Sequence, residues 1–450
     1  MSDHTDTGAL RIAERSVAMA IDAGASEAEA VVVDSVEALT RFANNEIHQS
    51  VAESDVSVSL RFVDGRRVAV ASGNRTDDRS LRELAARAGE MARLQPENEA
   101  FTSLPTPAPI SRIDGAWAAA TADADPESRA NAAGAVIDAA RGVGAQAFGL
   151  CSTASEEVAV ASSLGVAAAE ARSRSQVLSV MMDADGGTGY SERVAVDVAD
   201  IDAAAVGAEA ADRTARMRDP IELPAGDYPV VLEAFAVVDI ADWIGYTGFS
   251  ALAVEEERSF FEAGRRIGSD LVTLTDDAAD PLGTPASFDY EGMPKRRVPL
   301  IENGICREVV HDAQTAARAG VTSTGHGLPA PNPWGPFPLH PSLAAGTTPD
   351  DELIAPIDRG LLVTHFHYTN VVHPKQVVIT GMTRDGLFLI EDGQVVAPVR
   401  NLRFTQSYLE AIANVEAVGI ERRAVEGFLG TAVVPAMRLS SFSFTGTTEH

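Results

Sequence analysis

Cysteine, lysine and aromatic side chains are all scarce in this chain. Two cysteines, Cys151 and Cys306, among 450 residues exclude a disulfide scaffold and a cysteine-rich zinc site. Only Lys295 and Lys375 are lysines, so 34 of the 36 basic residues are arginine; GC-rich coding and adaptation to salt both produce that bias. Positive charge is short overall: 36 Lys and Arg stand against 65 Asp and Glu, a net charge of -29. Phosphate backbones and anionic membrane faces both require cationic surface, so nucleic-acid and membrane-surface roles are excluded. Long apolar runs are missing too. The most apolar stretch, Val230 to Val254, carries Glu233, Asp239 and Asp242, too many charges for a membrane span. The N-terminal Met1-Ser2-Asp3-His4-Thr5-Asp6 is acidic where a secretion leader is basic, and no apolar core follows it. A cytoplasmic protein is expected.

What remains is ordinary folded chain: 45% apolar and 22% charged residues, long enough for two or three domains. Leu10, Ala13, Val17 and Ile21 recur at helical spacing before Gly24. Ala28 to Ala38 and Ile47 to Val70 read as strands, and Asp64-Gly65 as a hairpin turn inside the second run. Asp77 or Asp78 caps a helix through Leu81, Leu84, Ala88 and Met91, and Asp125-Pro126 opens another to about Arg141. Strands from Gln146 to about Asp183 enclose a Ser163-Leu164-Gly165 turn, and a helix from Ile201 to Arg218 closes this half. Further on, Asn303-Gly304, Asp385-Gly386 and Asp392-Gly393 each signal a hairpin between strand-like runs. Helices are expected near Ala236 to Tyr246 and Asp312 to Gly320, and an irregular loop over Leu328 to Pro341. The fold class is α+β: an N-terminal mixed sheet and helix domain, residues 1–220, then a mainly-β domain, residues 221–450.

Common catalytic signatures are absent. There is no P-loop, no G-x-S-x-G elbow and no H-E-x-x-H, and Gly186-Gly187-Thr188-Gly189 reads as a plain turn. By residue type the best metal candidates are His365, His367 and His373. On a strand the first two face the same way and could share an ion, although no carboxylate or cysteine lies near them in sequence. His326 reads as a loop histidine. Asp239 and Asp242, three apart on a helix, could form an acid/base pair, but a solvated helix face is the simpler expectation.

Whole segments carry more than these isolated residues. Phe288-Asp289-Tyr290-Glu291-Gly292-Met293-Pro294-Lys295-Arg296-Arg297, then Leu300-Ile301-Glu302-Asn303-Gly304, closely resembles a hallmark of the TldD/PmbA family, roughly F-D-D-E-G-x-P-x-R-R-x-x-L-I-E-N-G. Gly226 to Leu232, Ala316 to Gly320 with Ser323-Thr324-Gly325, Phe388 to Gly393 with Pro398-Val399-Arg400, and Leu60 to Arg66 fit the same pattern. The resemblance implies one of two related subunits. The TldD type is a zinc peptidase with an H-E-x-x-x-H helix and a late cysteine ligand; the TldE or PmbA type shares the fold and lacks those ligands. In this register the motif falls on Ala241-Asp242-Trp243-Ile244-Gly245-Tyr246. Ala241 and Tyr246 stand in place of the histidines and Asp242 in place of the glutamate, while Gly427 to Thr431 offers no thiolate.

The chain thus resembles the TldE type. The resemblance implies a non-catalytic subunit with no cofactor of its own, a zinc-bearing TldD-type partner and small or unfolded peptides as substrate. Two other readings stay open: an independent metalloenzyme using His365, His367 and His373, and a homo-oligomeric peptide-binding protein that captures peptide as an added strand.

Overall fold

A computed structural model describes residues 8–447, so the acidic N-terminal segment read above lies outside the described residues. Two sheets organise the chain. The first is a six-stranded antiparallel sheet, formed by β1 (Glu27–Ala43), β2 (Glu46–Asp64), β3 (Arg67–Gly73), β4 (Gln146–Ser162), β5 (Ala167–Met182) and β6 (Thr188–Ala195) in the order β3-β2-β1-β4-β5-β6. Gly65-Arg66 turns β2 into β3, as the Asp64-Gly65 pair anticipated.

Period-2 alternation decides which neighbours this sheet receives. Ala30, Val32, Leu60, Phe62, Ala159 and Ala161 point one way, against α1 (Gly8–Asp22) and α2 (Asp78–Leu94). Ala20 and Ala92 close the buried stripes of these two helices; Ile21, one position after Ala20, and Met91, one position before Ala92, are exposed. The Asp77 carboxylate caps α2 by accepting the Ser80 N–H. Farther along the same sheet, the short α3 (Ala119–Ala122) precedes α4 (Pro126–Gly142), which packs with α5 (Ala203–Arg216) over Phe42, Ala147, Cys151, Val177 and Met181.

The opposite side of β1, β4 and β5 presents Val31, Val158, Val160 and Ala168, and these cover Phe288 and Met293 of the hallmark loop. Polar groups on that face lock the same loop. Glu170 accepts the Ser287 N–H at 3.0 Å, and Arg172 donates to the Phe288 carbonyl at 3.1 Å. Arg61 lies between two buried carboxylates, with Nε 3.3 Å from Glu29 and Nη1 3.7 Å from Glu291. Two family-like stretches more than 200 residues apart in sequence therefore meet at one buried guanidinium.

The second, eleven-stranded sheet runs β10-β9-β8-β11-β17-β15-β13-β12-β7, with β14 on β13 and β16 on β17. Its strands are β7 (Gly226–Leu232), β8 (Leu274–Asp276), β9 (Val298–Glu302), β10 (Ile305–Cys306), β11 (Pro341–Leu343), β12 (Arg359–His373), β13 (Val378–Glu391), β14 (Gln394–Pro398), β15 (Leu402–Ser407), β16 (Val415–Glu426) and β17 (Thr431–Thr447). Helices α6 (Ala234–Gly248), α7 (Ala251–Glu255), α8 (Ala313–Ala319) and α9 (Tyr408–Ala413) accompany it. The whole is an α+β fold. None of its helices is long and apolar enough to cross a membrane among the described residues.

Asn303-Gly304 and Asp392-Gly393 join antiparallel pairs as expected. Asp385-Gly386 does not. It lies within β13, which pairs with β12 on both sides of it, Val363 with Leu387 and His365 with Arg384. Two residues thus oppose Thr364 alone, making a bulge and not a turn. A Cβ at Gly386 would fall 2.4 Å from Thr364 Oγ1, which only glycine avoids. The bulge turns Asp385 into the interior.

Removing one partner of a buried charge cluster leaves the others uncompensated. Arg61→Met is expected to cost about 3–5 kcal/mol in urea denaturation, whereas Glu29→Gln, which mimics the protonated acid, costs far less. Equal losses from the two variants would show that Arg61 is not the keystone of this junction.

Candidate functional site

Helix α6 is apolar nearly all round, with twelve of its fifteen residues buried. Asp242 is one of the twelve, while Asp239 is half-buried with both carboxylate oxygens hydrogen-bonded, so the solvated helix face expected for the pair is not what forms. Three-residue spacing puts both on one side of a helix; the apolar surroundings decide that this side is interior.

Asp242 is fully buried and acts as a clamp. Its Oδ2 accepts the backbone N–H of Phe428 at 2.7 Å and that of Leu429 at 3.4 Å, in the loop joining β16 to β17. A Cβ at Gly427 would approach this oxygen to 2.1 Å, so glycine is required for the loop to close over the carboxylate. Oδ1 is buried without a hydrogen-bond partner among the described residues. Burial pushes the Asp242 carboxyl up to about 8, and the two backbone N–H groups only partly offset it. One turn earlier, Asp239 accepts from Thr369 Oγ1 at 2.6 Å and from the Tyr408 hydroxyl. Burial raises it to about 6 against those bonds. Trp243 Nε1 donates to the same Thr369 hydroxyl at 3.1 Å.

Aromatic rings cover this end of the helix. Phe428 lies 4.9 Å from Trp243 and 5.9 Å from Tyr246, and Tyr246 stacks on Phe337 at 5.0 Å. Phe337 belongs to the irregular segment expected over Leu328 to Pro341. Helix positions 241–246 and loop 427–431 are thus side by side, 186 residues apart in sequence at the Asp242–Phe428 bond.

A tetrahedral zinc set does not fit these residues. Ala241 is buried and has no donor atom, one Asp242 oxygen is engaged by two amides, and Tyr246 is packed between rings. Both thiols are buried elsewhere, and burial raises Cys151 to about 12.

Among the histidines, His365 and His367 share a strand face, with ring centroids 6.4 Å apart. His365 stacks on Tyr190 at 4.4 Å, and its Nδ1 lies 3.5 Å from Asp385 Oδ2. His367 is half-buried, and burial lowers its pKa. His373 is exposed at the far end of β12. No group of three or more His, Cys, Asp or Glu side chains is placed to hold a metal among the described residues. His326 anchors the fold: it is fully buried, its Nε2 2.7 Å from Asp276 and its Nδ1 2.9 Å from Thr324 Oγ1. Nothing in the local sequence pointed to Tyr190, Thr369, Tyr408 or Asp385 as neighbours of this region. The one available signal was the glycine pair, Gly427 and Gly430, around Phe428.

Three family profiles cover most of the chain: PmbA/TldA metallopeptidase domain 1 matches residues 28–92, the central domain 102–218 and the C-terminal domain 225–446. The chain belongs to the PmbA/TldD metallopeptidase family. It is 29% identical over 220 residues to a metalloprotease TldD homolog of Buchnera aphidicola subsp. Acyrthosiphon pisum, covering 46% of this chain and 43% of that protein. A metalloprotease of Methanothermobacter thermautotrophicus is 26% identical over 253 residues, 54% of this chain and 53% of that one. The matched region spans about half the length of these curated relatives. The fold resembles the crystal structure of TldE from Thermococcus kodakarensis with a TM-score of 0.89 at 22% identity, covering 96% of this chain and 99% of that one.

Raising the Asp242 pKa above that of an exposed aspartate means the folded protein holds a proton that the unfolded chain releases. Stability from this group is full below about pH 4 and is lost as pH rises toward 8. Asp242→Asn keeps an oxygen for the Phe428 N–H without the charge. It is expected to stabilise the protein by about 2 kcal/mol or more at pH 8, with the gain vanishing near pH 4. Thermal melts across that range check it; a gain independent of pH would assign the effect to packing.

Proposed function

We propose that this chain is the non-catalytic, TldE/PmbA-type subunit of a TldD-type zinc metallopeptidase acting on small or unfolded peptides, in a cytoplasmic setting. The observation that carries the reading is the engagement of Asp242. The side chain standing where the family places its glutamate is committed to holding loop 427–431, and its neighbours Ala241 and Tyr246 supply no imidazole. A general base must reach a metal-bound water; a buried carboxyl tied to two backbone amides serves architecture. The resemblance between this fold and TldE of Thermococcus kodakarensis supports the same assignment.

On this reading the zinc and the catalytic glutamate belong to the partner. Trp243, Tyr246, Phe337 and Phe428 form an aromatic wall facing either the partner or the peptide. Phe428, about half exposed, is the most accessible of these rings at 52%. The independent-metalloenzyme reading has less support, since His373 is exposed at the far end of β12 and no third His, Cys, Asp or Glu is placed with His365 and His367 to hold an ion among the described residues.

The test uses an unstructured peptide, this chain alone, and this chain with an H-E-x-x-x-H partner. Chelator-sensitive cleavage is expected only with the partner present, and Phe428→Ala is expected to reduce it several-fold without lowering the melting temperature. Robust chelator-sensitive cleavage by this chain alone would falsify the proposal.

A further inference from the structure

A cavity of about 290 Å³ lies between the six-stranded sheet and the C-terminal half, away from α6. Its floor is a patch of β1, β4 and β5 on the face that farther along packs Phe288 and Met293. Strand register fixes that floor. Ser35, Glu156 and Arg172 form one rank across the three strands, and Glu37, Ala154 and Arg174 form the next. The acids therefore stand on β1 and β4, the arginines on β5, and Ala154 leaves room between Glu37 and Arg174.

The arginine side also receives a residue from the other half of the chain. His340 lines the cavity, and its Nδ1 is buried 4.0 Å from Asp276 Oδ1 with no hydrogen-bond partner among the described residues. Burial and the charge of Lys295 lower the His340 pKa to about 3, so at neutral pH the ring is an uncharged hydrogen-bonding group. Lys295 Nζ is itself buried without a hydrogen-bond partner among the described residues. Arg172 spends Nε on Glu170 at 3.0 Å and Nη2 on the Phe288 carbonyl at 3.1 Å, while Arg174 Nη2 meets Glu426 at 2.6 Å. Each guanidinium has five N–H donors, so both retain donors for a ligand.

We propose that this cavity binds a short peptide with both termini free, its carboxylate toward Arg172, Arg174 and His340 and its ammonium toward Glu37 and Glu156. The dimensions agree. Adjacent strands lie about 4.8 Å apart, which sets β1 and β5 roughly 10 Å apart across β4. An extended dipeptide covers about 7 Å, and the Glu and Arg side chains close the remainder. Glu426, the partner of Arg174, directly precedes the Gly427–Leu429 loop held by Asp242, so one ion pair connects an arginine of the cavity to the strand that leads into that loop. Assigning the ligand as peptide rests on the peptidase-subunit reading; the charge-separated floor stands without it.

Calorimetric titration of the isolated full chain tests the proposal with four probes: Ala-Ala, N-acetyl-Ala-Ala, Ala-Ala amide and free alanine. Ala-Ala is expected to bind, with a loss of about tenfold or more on blocking either end. Glu37→Gln, at an exposed strand position, should weaken Ala-Ala while leaving N-acetyl-Ala-Ala unchanged. Arg174→Gln should weaken both and leave the Ala-Ala amide unchanged. No binding of Ala-Ala at millimolar concentration, equal affinity for blocked and free ends, or tighter binding of alanine would each overturn it. Because no partner is present, this result is separate from the cleavage assay: a chain that fails to support cleavage can still bind Ala-Ala, and one that supports cleavage can fail to bind it.

Discussion

A buried carboxyl group accepting two backbone amides holds the central region of this protein together. Asp242 joins a core helix to the loop between β16 and β17, and the rings of Trp243, Tyr246, Phe337 and Phe428 close around that bond. Water cannot reach the carboxylate, so its charge is unfavourable and its proton is retained to about pH 8. A site that had to coordinate a divalent cation would need the opposite: ionised donors, open lone pairs and room for water. At Asp242 the carboxyl keeps its proton and the site is closed to water, so Oδ1, though it accepts no hydrogen bond among the described residues, has neither the charge nor the room that an ion needs.

The same economy of buried polar groups joins the two sheets. One face of β1, β2, β4 and β5 is apolar where it meets Phe288 and Met293 and charged around that patch, with Glu29 and Arg61 on β1 and β2 and Glu170 and Arg172 on β5. The apolar centre supplies burial, and the charged flanks fix orientation, because each must find its partner in the hallmark loop. Where that face runs beyond the loop, the side chains of two further ranks line an open cavity. Composition follows from this layout. An acidic chain with 34 arginines and two lysines uses guanidinium groups at nearly every buried ion pair, where their planar donors satisfy several acceptors at once.

Much of the local fold was legible in the sequence because the signals were backbone chemistry. Asp77 and Asp125-Pro126 cap their helices as read, and Asn303-Gly304 and Asp392-Gly393 turn their strands. Asp385-Gly386 carries the same dipeptide signal yet forms a bulge, because a left-handed residue pair serves either purpose and only the partner strand decides between them. Long-range pairing was not legible. The His365–His367 face followed from strand alternation, but the contacts of His365 with Tyr190 and Asp385 arise from segments distant in sequence or displaced by the bulge. Asp239 and Asp242 were read toward solvent because carboxylates usually face water; their burial depends on a loop 186 residues away from Asp242 and on Thr369 and Tyr408.

The missing ligands at Ala241 and Tyr246 and the occupied carboxyl at Asp242 all concern where a metal is held, so locating the metal is the most direct measurement. Native mass spectrometry of this chain co-expressed with an H-E-x-x-x-H partner, followed by elemental analysis of the separated subunits, reads it. Zinc is expected to travel with the partner and to be absent from this chain. One zinc per copy of this chain, lost on replacing residues around Trp243, would contradict the account.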